Sequence, residues 1–225
     1  MLYIVSTPIG NLEDITYRAV RTLKEVDSIA CEDTRTSGVL LNRYEIKKPL
    51  ISFHSHSGQW KIHKLIEQMK GGATMALISD AGTPGISDPG YVLIKEAITA
   101  GIEVVPIPGV TAFTTALVGS GMQMNHFLYL GFMPVKKGRM TLFKSLVERR
   151  ESKSGWETVV VYESVHRIVK TLHEIGQYFG EDHYLVVGRE LTKKFEEFRR
   201  GTVSEVVEYY ENTPGKLKWE FVICF

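Results

Sequence analysis

The feature that most constrains the fold is the alternation of short apolar runs with amphipathic segments along residues 1–118. Five apolar runs of about five residues are typical of buried strands, and a loop rich in Gly, Pro, Ser or Asp follows most of them. Strands are predicted at residues 2–5, 27–31, 49–53, 74–78 and 102–105, and helices at 14–26, 36–43, 59–70, 91–100 and 110–118. This order predicts an α/β fold with a doubly wound, mostly parallel sheet covered by helices on both faces. Asp14 is the predicted N-cap of the first helix.

The pattern changes after residue 118, where Gly119-Ser120-Gly121 marks a break. Shorter strands and a hairpin arm alternate less regularly with helices in the remainder of the chain, which favours a mixed α+β domain. The strands are predicted at residues 126–132, 157–162, 183–189 and 217–225, the hairpin arm at 195–202, and the helices at 136–150, 165–179 and 203–210. We therefore predict an N-terminal domain over residues 1–118 and a C-terminal domain over residues 119–225.

Four unusual loops follow directly after strands of the first domain. Their sequences are TPIGN, CEDTR, SDAGTPG and PIPGVTA. Parallel strands bring such loops to one edge of the sheet, where α/β proteins bind ligands. There is no GxxxxGK[ST] and no GxGxxG after the first strand, so a P-loop nucleotidase and a dinucleotide site have little support. Glycines allow close approach to the backbone, and Asp80 and Asp88 suit a cationic ligand, so the loops favour a zwitterionic nucleoside.

Composition excludes several classes of protein. The net charge is +1, from 27 basic and 26 acidic residues, so any nucleic-acid contact must come from local patches. Cys31 and Cys224 form no metal-binding or disulfide pattern. His54 and His56 could chelate zinc, but with no third ligand nearby we predict no metal site. Without a signal peptide or a run of ~20 apolar residues, we expect a soluble cytoplasmic protein that has no membrane partner.

Seven motifs in order, spanning nearly the whole chain, carry a family resemblance. They are TPIGNLEDIT, CEDTRTS, LISDAGTPGISDPGY, PIPGVTA, GFMPVKKGR, VYESVHR and GRELTKKFEEFRRGT. Together they resemble the ribosomal RNA small subunit methyltransferase I family, within the tetrapyrrole methylase (class III) superfamily.

The resemblance implies an enzyme that depends on S-adenosylmethionine (AdoMet) and methylates the ribose 2′-hydroxyl of a cytidine in 16S, small-subunit ribosomal RNA. It also implies two domains with AdoMet in the cleft between them, a homodimer, and the 30S subunit as partner. The cofactor residues implied by the matching motifs are Ile9, Asp80, Thr83, Thr111, Ala112, Tyr162, Val187 and Gly188.

Methyl transfer to a hydroxyl needs in-line positioning and removal of one proton. The candidate bases are Glu32 and Asp33 on the sheet edge, with Glu163 and His166 from the second domain. Arg35 suits a phosphate equally as well as an ion pair with its acidic neighbours.

RNA contacts are predicted at clustered cations, namely Lys136, Lys137, Arg139, Arg199 and Arg200, with Arg35 beside them. The bland alternative is a solvated helix face. Two other functions remain open at this point: a small-molecule methylase of the same superfamily with a tetrapyrrole-like substrate, and a non-catalytic nucleotide- or RNA-binding module. The basic segments favour RNA over a macrocycle, and the intact loops argue against a module without a cofactor.

Overall fold

The computed structural model describes residues 1–54, 57–152, 157–218 and 220–225, so His56 lies outside the described residues. The chain divides into two compact units, Met1–Thr111 and Ala112–Phe225. The division that the sequence suggested, at residue 118, falls inside a helix, α5 (Ala112–Ser120), whose residues contact strands of the second unit. The packing of this helix moves the start of the second unit to Ala112.

The first unit is built on a five-stranded parallel sheet in the order β3-β2-β4-β1-β5. Its strands are β1 (Leu2–Val5), β2 (Ser28–Cys31), β3 (Leu50–Ser52), β4 (Met75–Leu77) and β5 (Val104–Ile107). Each observed pairing is parallel. The predicted doubly wound sheet is confirmed, because each strand returns to the sheet through a crossover.

Four helices cover the two faces of this sheet: α1 (Tyr17–Glu25), α2 (Thr34–Arg43), α3 (Gln59–Lys70) and α4 (Gly90–Thr99). Alternation along β1 divides the interior in two, since Leu2 and Ile4 pack in the core beneath α3 and α4. Tyr3 and Val5 belong to the opposite core, beneath α1 and α2. Successive side chains of a strand point to opposite faces, so one short apolar run serves both layers.

The predicted N-cap of the first helix is wrong. Asp14 ends a short 3-10 helix, Leu12–Asp14, and Thr16 caps α1 by accepting a hydrogen bond from the Ala19 N–H at 3.1 Å. Asn11 caps the 3-10 turn through the Glu13 N–H. Two capping residues in one segment start two short elements, where periodicity alone suggested one helix.

The second unit contains a mixed five-stranded sheet in the order β6-β7-β10-β8-β9. Its strands are β6 (Phe127–Phe132), β7 (Thr158–Glu163), β8 (Tyr184–Arg189), β9 (Glu197–Thr202) and β10 (Phe221–Cys224). The β6–β7 pair is parallel and the other three pairs are antiparallel. The predicted mixed α+β architecture is thus confirmed, although β10 is shorter than expected because Pro214–Lys216 forms a 3-10 turn before it.

Besides α5, the second unit has helices α6 (Arg139–Ser152), α7 (Ile168–Phe179) and α8 (Val203–Asn212). Their apolar faces join the strands in a separate core that includes Leu172, Val187 and the wholly buried Tyr210. Thr202 and Glu205 form a reciprocal capping box at the start of α8, directly after β9. No helix among the described residues is long and apolar enough to cross a membrane.

Candidate active site

The carboxyl ends of the parallel strands place four loops on one edge of the first unit. The loops follow β1, β2, β4 and β5, as the sequence predicted. The loop after β1 is fastened to the loop after β4 by two backbone hydrogen bonds between Thr7 and Gly82, of 2.9 and 3.0 Å. Gly82 has a φ of +81°, a conformation that L side chains rarely adopt. This glycine therefore lets the central loop turn back onto the first.

Thr83 connects three of these loops through its hydroxyl. Its Oγ1 donates to the Val110 carbonyl at 3.1 Å and lies 2.8 Å from the Ser6 Oγ. A Cβ built on Gly82 would lie 3.4 Å from the Ile9 side chain and 4.0 Å from the Thr111 Cα. The structure thus brings Ile9, Thr83 and Thr111 close to one another at the sheet edge.

Asp80 connects the central loop to the loop after β2. Its Oδ1 accepts a hydrogen bond from the Asp33 N–H at 3.1 Å, and the residue remains exposed. The second Ser-Asp pair of the central loop has a different task. The Asp88 carboxylate accepts from the Gly85 N–H at 2.8 and 2.9 Å and from the Gly90 N–H at 2.7 Å, which shapes the loop ahead of α4. Of the two aspartates, Asp80 is the one still available to a ligand.

The two candidate bases after β2 lie in opposite electrostatic environments. Burial, with Asp80 and Asp88 nearby, raises the pKa of Glu32, and His54 partly opposes this shift. Arg35 holds the pKa of Asp33 at about 2 through a forked ion pair in which Arg35 Nη2 and Asp33 Oδ2 are 2.7 Å apart. Asp33 also caps α2 through the Arg35 N–H. Glu32 is therefore suited to accept a proton near neutral pH, and Asp33 is not.

Glu163 is not an accessible base, which corrects the sequence-based hypothesis. Its side chain is wholly buried at the end of β7 and pairs with two guanidinium groups: Arg167 Nη2 lies 2.7 Å from Oε1, and Arg139 Nη1 lies 3.6 Å from Oε2. The Thr171 hydroxyl donates to Oε2 at 2.6 Å. His166, the remaining candidate, is exposed beside this cluster.

Cofactor residues predicted in the second unit fall into two groups. Ala112 begins α5 and is partly exposed, and the Tyr162 hydroxyl accepts a hydrogen bond from the Phe113 N–H at 3.1 Å. Burial raises the pKa of Tyr162, so it stays a neutral phenol. Val187 and Gly188 are buried within β8, between β9 and β10, and the Val187 side chain packs in the core. Neither of these two presents a side chain to a ligand, because both face the interior of the sheet.

The predicted RNA-contacting cations also divide. Lys136 and Lys137 are exposed in the loop that precedes α6, and the Arg35 side chain is 89% exposed despite its ion pair. Arg139 is only 5% exposed and belongs to the buried cluster around Glu163, so it cannot contact RNA from the surface.

The remaining two arginines of the predicted RNA surface are held by contacts within the second unit. The Arg199 guanidinium lies 4.4 Å from the centre of the Tyr209 ring. Arg200 donates to the carbonyls of Gly119 and Ser120 at the end of α5. These contacts fix both side chains along β9, although Arg200 stays exposed.

Sequence reasoning missed two residues that fix the loops. Ser6 contacts Thr83, and a Cβ added to Gly109 would lie 2.7 Å from the Ser6 Cβ, a distance that real Cβ contacts do not show. The signal was present in the sequence, because Ser6 is the first residue after β1 and Gly109 follows the proline-bracketed end of β5. Their close approach depends on the register of neighbouring strands, which no local pattern reports.

Comparison with known proteins gives a consistent picture. A family model described as Tetrapyrrole (Corrin/Porphyrin) Methylases matches residues 1–207. A Haemophilus influenzae protein named ribosomal RNA small subunit methyltransferase I is 46% identical over 224 residues, which cover 99% of this chain and 77% of that protein. A Bacillus subtilis protein of the same name is 46% identical over 92% of this chain and 69% of its own length.

Solved structures agree at the level of the fold. A cobalt precorrin-4 methyltransferase of cobalamin biosynthesis is similar with a TM-score of 0.72 at 17% identity, covering 99% of this chain and 93% of its own. A diphthine synthase is similar with a TM-score of 0.73 at 13% identity, covering 99% and 88%. At such low identity the likeness extends to the fold and not to the substrate.

The comparisons and the fold together identify the class of enzyme. Tetrapyrrole methylases and their methyltransferase relatives take the methyl group from AdoMet, so AdoMet is the cofactor of this chain. The nearly full-length identity to the named relatives is far above that to the solved structures. The chain therefore belongs to the ribosomal RNA small subunit methyltransferase I family, within the tetrapyrrole methylases.

Proposed function

We propose that this chain transfers a methyl group from AdoMet to the ribose 2′-hydroxyl of a cytidine in small-subunit ribosomal RNA. The observation that carries the choice of substrate is the high identity, over almost the whole chain, to relatives named for methylation of that RNA. Uroporphyrin and precorrin methyltransferases share the fold but are below 20% identical, so they give the macrocycle alternative no comparable support.

The strand-end loops of the first unit fit a cationic nucleoside. Asp80 is exposed, and the pKa of Glu32 is raised in part by the charges of Asp80 and Asp88, so this edge carries more negative charge than it neutralises. A ligand with a positive centre relieves that repulsion. AdoMet, when bound, supplies a methyl group already activated by its sulfonium. Asp80 would then pair with the positive part of the ligand, while Ile9 and the Thr83–Thr111 region would hold its nucleoside portion.

Glu32 is the best candidate for the general base. A ribose hydroxyl is a poor nucleophile at neutral pH, and a base that removes its proton in the transition state typically contributes 10²- to 10⁴-fold, to order of magnitude. Glu163 is wholly buried and paired, and Arg35 depresses the pKa of Asp33 to about 2. Glu32 combines a raised pKa with partial exposure on the edge that also presents Asp80.

Exposed cations supply the RNA contacts in this proposal. Lys136 and Lys137 are the best placed, since both are exposed in one loop. Arg35 has the planar geometry to bind a phosphate, but it would exchange its pairing with Asp33 to do so. With a net charge of +1, binding would depend on these local contacts and not on a general positive field.

The test is methyl transfer from tritiated AdoMet into 30S subunits, with uroporphyrinogen as the competing substrate class. We expect label in the RNA, recovered as 2′-O-methylcytidine after nuclease digestion, and none in the macrocycle. Label on a base, or in uroporphyrinogen alone, would contradict the proposal. Calorimetry with AdoMet tests the non-catalytic alternative, which predicts no binding. A homodimer and a cytoplasmic location stay predictions from the family resemblance.

A further inference from the structure

Four buried or partly buried charges surround the end of β7. Glu163 and Glu174 balance Arg139 and Arg167: the Arg139 Nε donates to Glu174 at 2.7 Å, and both arginines pair with Glu163. Thr171 completes the cluster, accepting from Arg139 Nη2 and donating to Glu163 Oε2, both at 2.6 Å. An apolar cluster of equal volume would often be as stable or more stable, so stability alone does not explain this arrangement.

The two arginines share a second target, the loop between β6 and α6. Arg167 Nη1 donates to the Met133 carbonyl at 3.1 Å, and Arg139 Nη1 donates to the next carbonyl, that of Pro134, at 2.9 Å. One carboxylate, Glu163, thus orients two guanidinium groups that hold two successive peptide units.

Little else fixes this loop. Met133 is buried, but the following Val135 is 64% exposed, and Lys136 and Lys137 are exposed as well. Gly138 reverses the chain with a φ of +82°, and the Arg139 N–H returns to the Lys136 carbonyl at 3.3 Å. The direction in which the two lysines project therefore depends on the anchored carbonyls of Met133 and Pro134.

We infer that Arg167 is a positioning residue for the RNA substrate, acting through the Met133–Pro134 carbonyls to present Lys136 and Lys137 to phosphates. This inference rests on the proposed function, since it takes the lysines as RNA contacts. Arg167 is the arginine to test because its side chain is 21% exposed, against 7% for Arg139. Removing Arg167 leaves Glu163 paired with Arg139, so the buried carboxylate keeps a partner.

The experiment measures 30S binding, AdoMet binding and thermal unfolding for the full chain and its variants. The lysine pair is removed in Lys136→Ala/Lys137→Ala, and the anchor in Arg167→Met. Arg167→Lys keeps the charge, but one ammonium cannot serve Glu163, Ser164 and Met133 together as the guanidinium does. Lys170→Met is the matched control, because it removes one exposed charge from the same α7 helix.

We expect the double lysine variant to weaken 30S binding about tenfold and to lower the salt dependence by roughly 0.7–0.9 log units per lost phosphate contact. Arg167→Met should weaken 30S binding by about three- to tenfold, Arg167→Lys by less, and the Lys170→Met control by about twofold or less. AdoMet affinity should change by less than about twofold in all of them. In the background that lacks both lysines, Arg167→Met should weaken RNA binding no further.

Two results would overturn the inference in distinguishable ways. If the lysine variant weakens RNA binding and Arg167→Met does not, or if the two effects add fully, the lysines contact RNA but Arg167 does not position them. If the lysine variant leaves 30S binding unchanged, the RNA surface is elsewhere and the positioning role fails with it. Methyl transfer at saturating 30S subunits reports on the proposed activity separately, whichever of these results is found.

Discussion

At the scale of single residues, the contrast between Glu32 and Asp33 decides which chemistry the sheet edge supports. The two are neighbours in sequence, yet Glu32 has a raised pKa through burial and nearby carboxylates, while Arg35 lowers that of Asp33. A group must be deprotonated to accept a proton, and its basicity increases with its pKa. The residue with the raised pKa is thus the better base.

Glu32→Gln should reduce kcat by about 10²- to 10⁴-fold. In the unaltered protein the rate should fall as the pH drops through the raised pKa of Glu32, so the acid limb should lie above the ordinary value of about 4.5. The variant should lose this limb. Single-turnover methyl transfer measured against pH checks both statements, with the exposed Glu25→Gln as the control. A variant that keeps the limb would show that another group titrates.

His183 gives a second prediction at this scale, on stability. Burial, with a smaller contribution from Arg150, lowers its pKa from 6.5 to about 4. The unfolded chain therefore binds this proton first, and stability that is complete above pH 6.5 is lost as the pH falls towards 4. The loss should be ~1–3 kcal/mol, at 1.36 kcal/mol per unit.

His183→Phe keeps an aromatic ring beside Phe179 and removes the titration. Urea unfolding at pH 7 and at pH 4.5 should show a smaller loss of stability in this variant than in the unaltered protein. An equal loss in both proteins would mean that carboxyl groups account for the whole acid sensitivity.

At the scale of elements, the loops after β1, β4 and β5 are locked by short contacts with the backbone and with first side-chain atoms. Gly109 lies so close to Ser6 that a Cβ would be 2.7 Å away, and Ser6 in turn contacts Thr83. A methyl group at Gly109 cannot be accommodated by rotating a long side chain, because the atom it meets is the Ser6 Cβ. The loops would have to move apart.

Gly109→Ala should lower the free energy of unfolding by about 1–3 kcal/mol and weaken AdoMet binding, because the Ser6–Thr83–Val110 connection is displaced. Gly38→Ala is the matched control. It lies within α2 with nothing within 4 Å of the added Cβ, so it should be neutral or stabilising by up to about 1 kcal/mol. Chemical denaturation and calorimetry measure both quantities, and a Gly109→Ala protein equal to the control would refute the close-packing argument.

The same elements show what sequence could and could not predict. Alternating apolar runs identified the parallel sheet and its ligand edge, since strand burial and loop composition are local properties. The burial of Arg139 and Glu163 was missed, because a charged residue in a basic or acidic segment looks exposed until the tertiary partners are known. Val187 was misassigned for a related reason: its strand lies between two others, a fact of sheet order and not of sequence pattern.

At the scale of the whole molecule, each unit closes its own hydrophobic core, and the two differ in sheet type. The parallel unit offers a carboxylate-bearing edge, and the mixed unit offers an exposed pair of lysines on a loop held by buried ions. Neither the fold nor the charge of +1 specifies RNA by itself. The family relationship provides that link, and the residues at the sheet edge provide a chemistry consistent with it.

The most direct measurement is a mass map of ribose methylation in the small-subunit ribosomal RNA of cells that lack this protein. The account predicts one missing 2′-O-methylcytidine, restored by the unaltered gene and not by one encoding Asp80→Ala, with both proteins present at equal levels. An unchanged methylation map in the deficient cells, or full restoration by the Asp80→Ala protein, would contradict it.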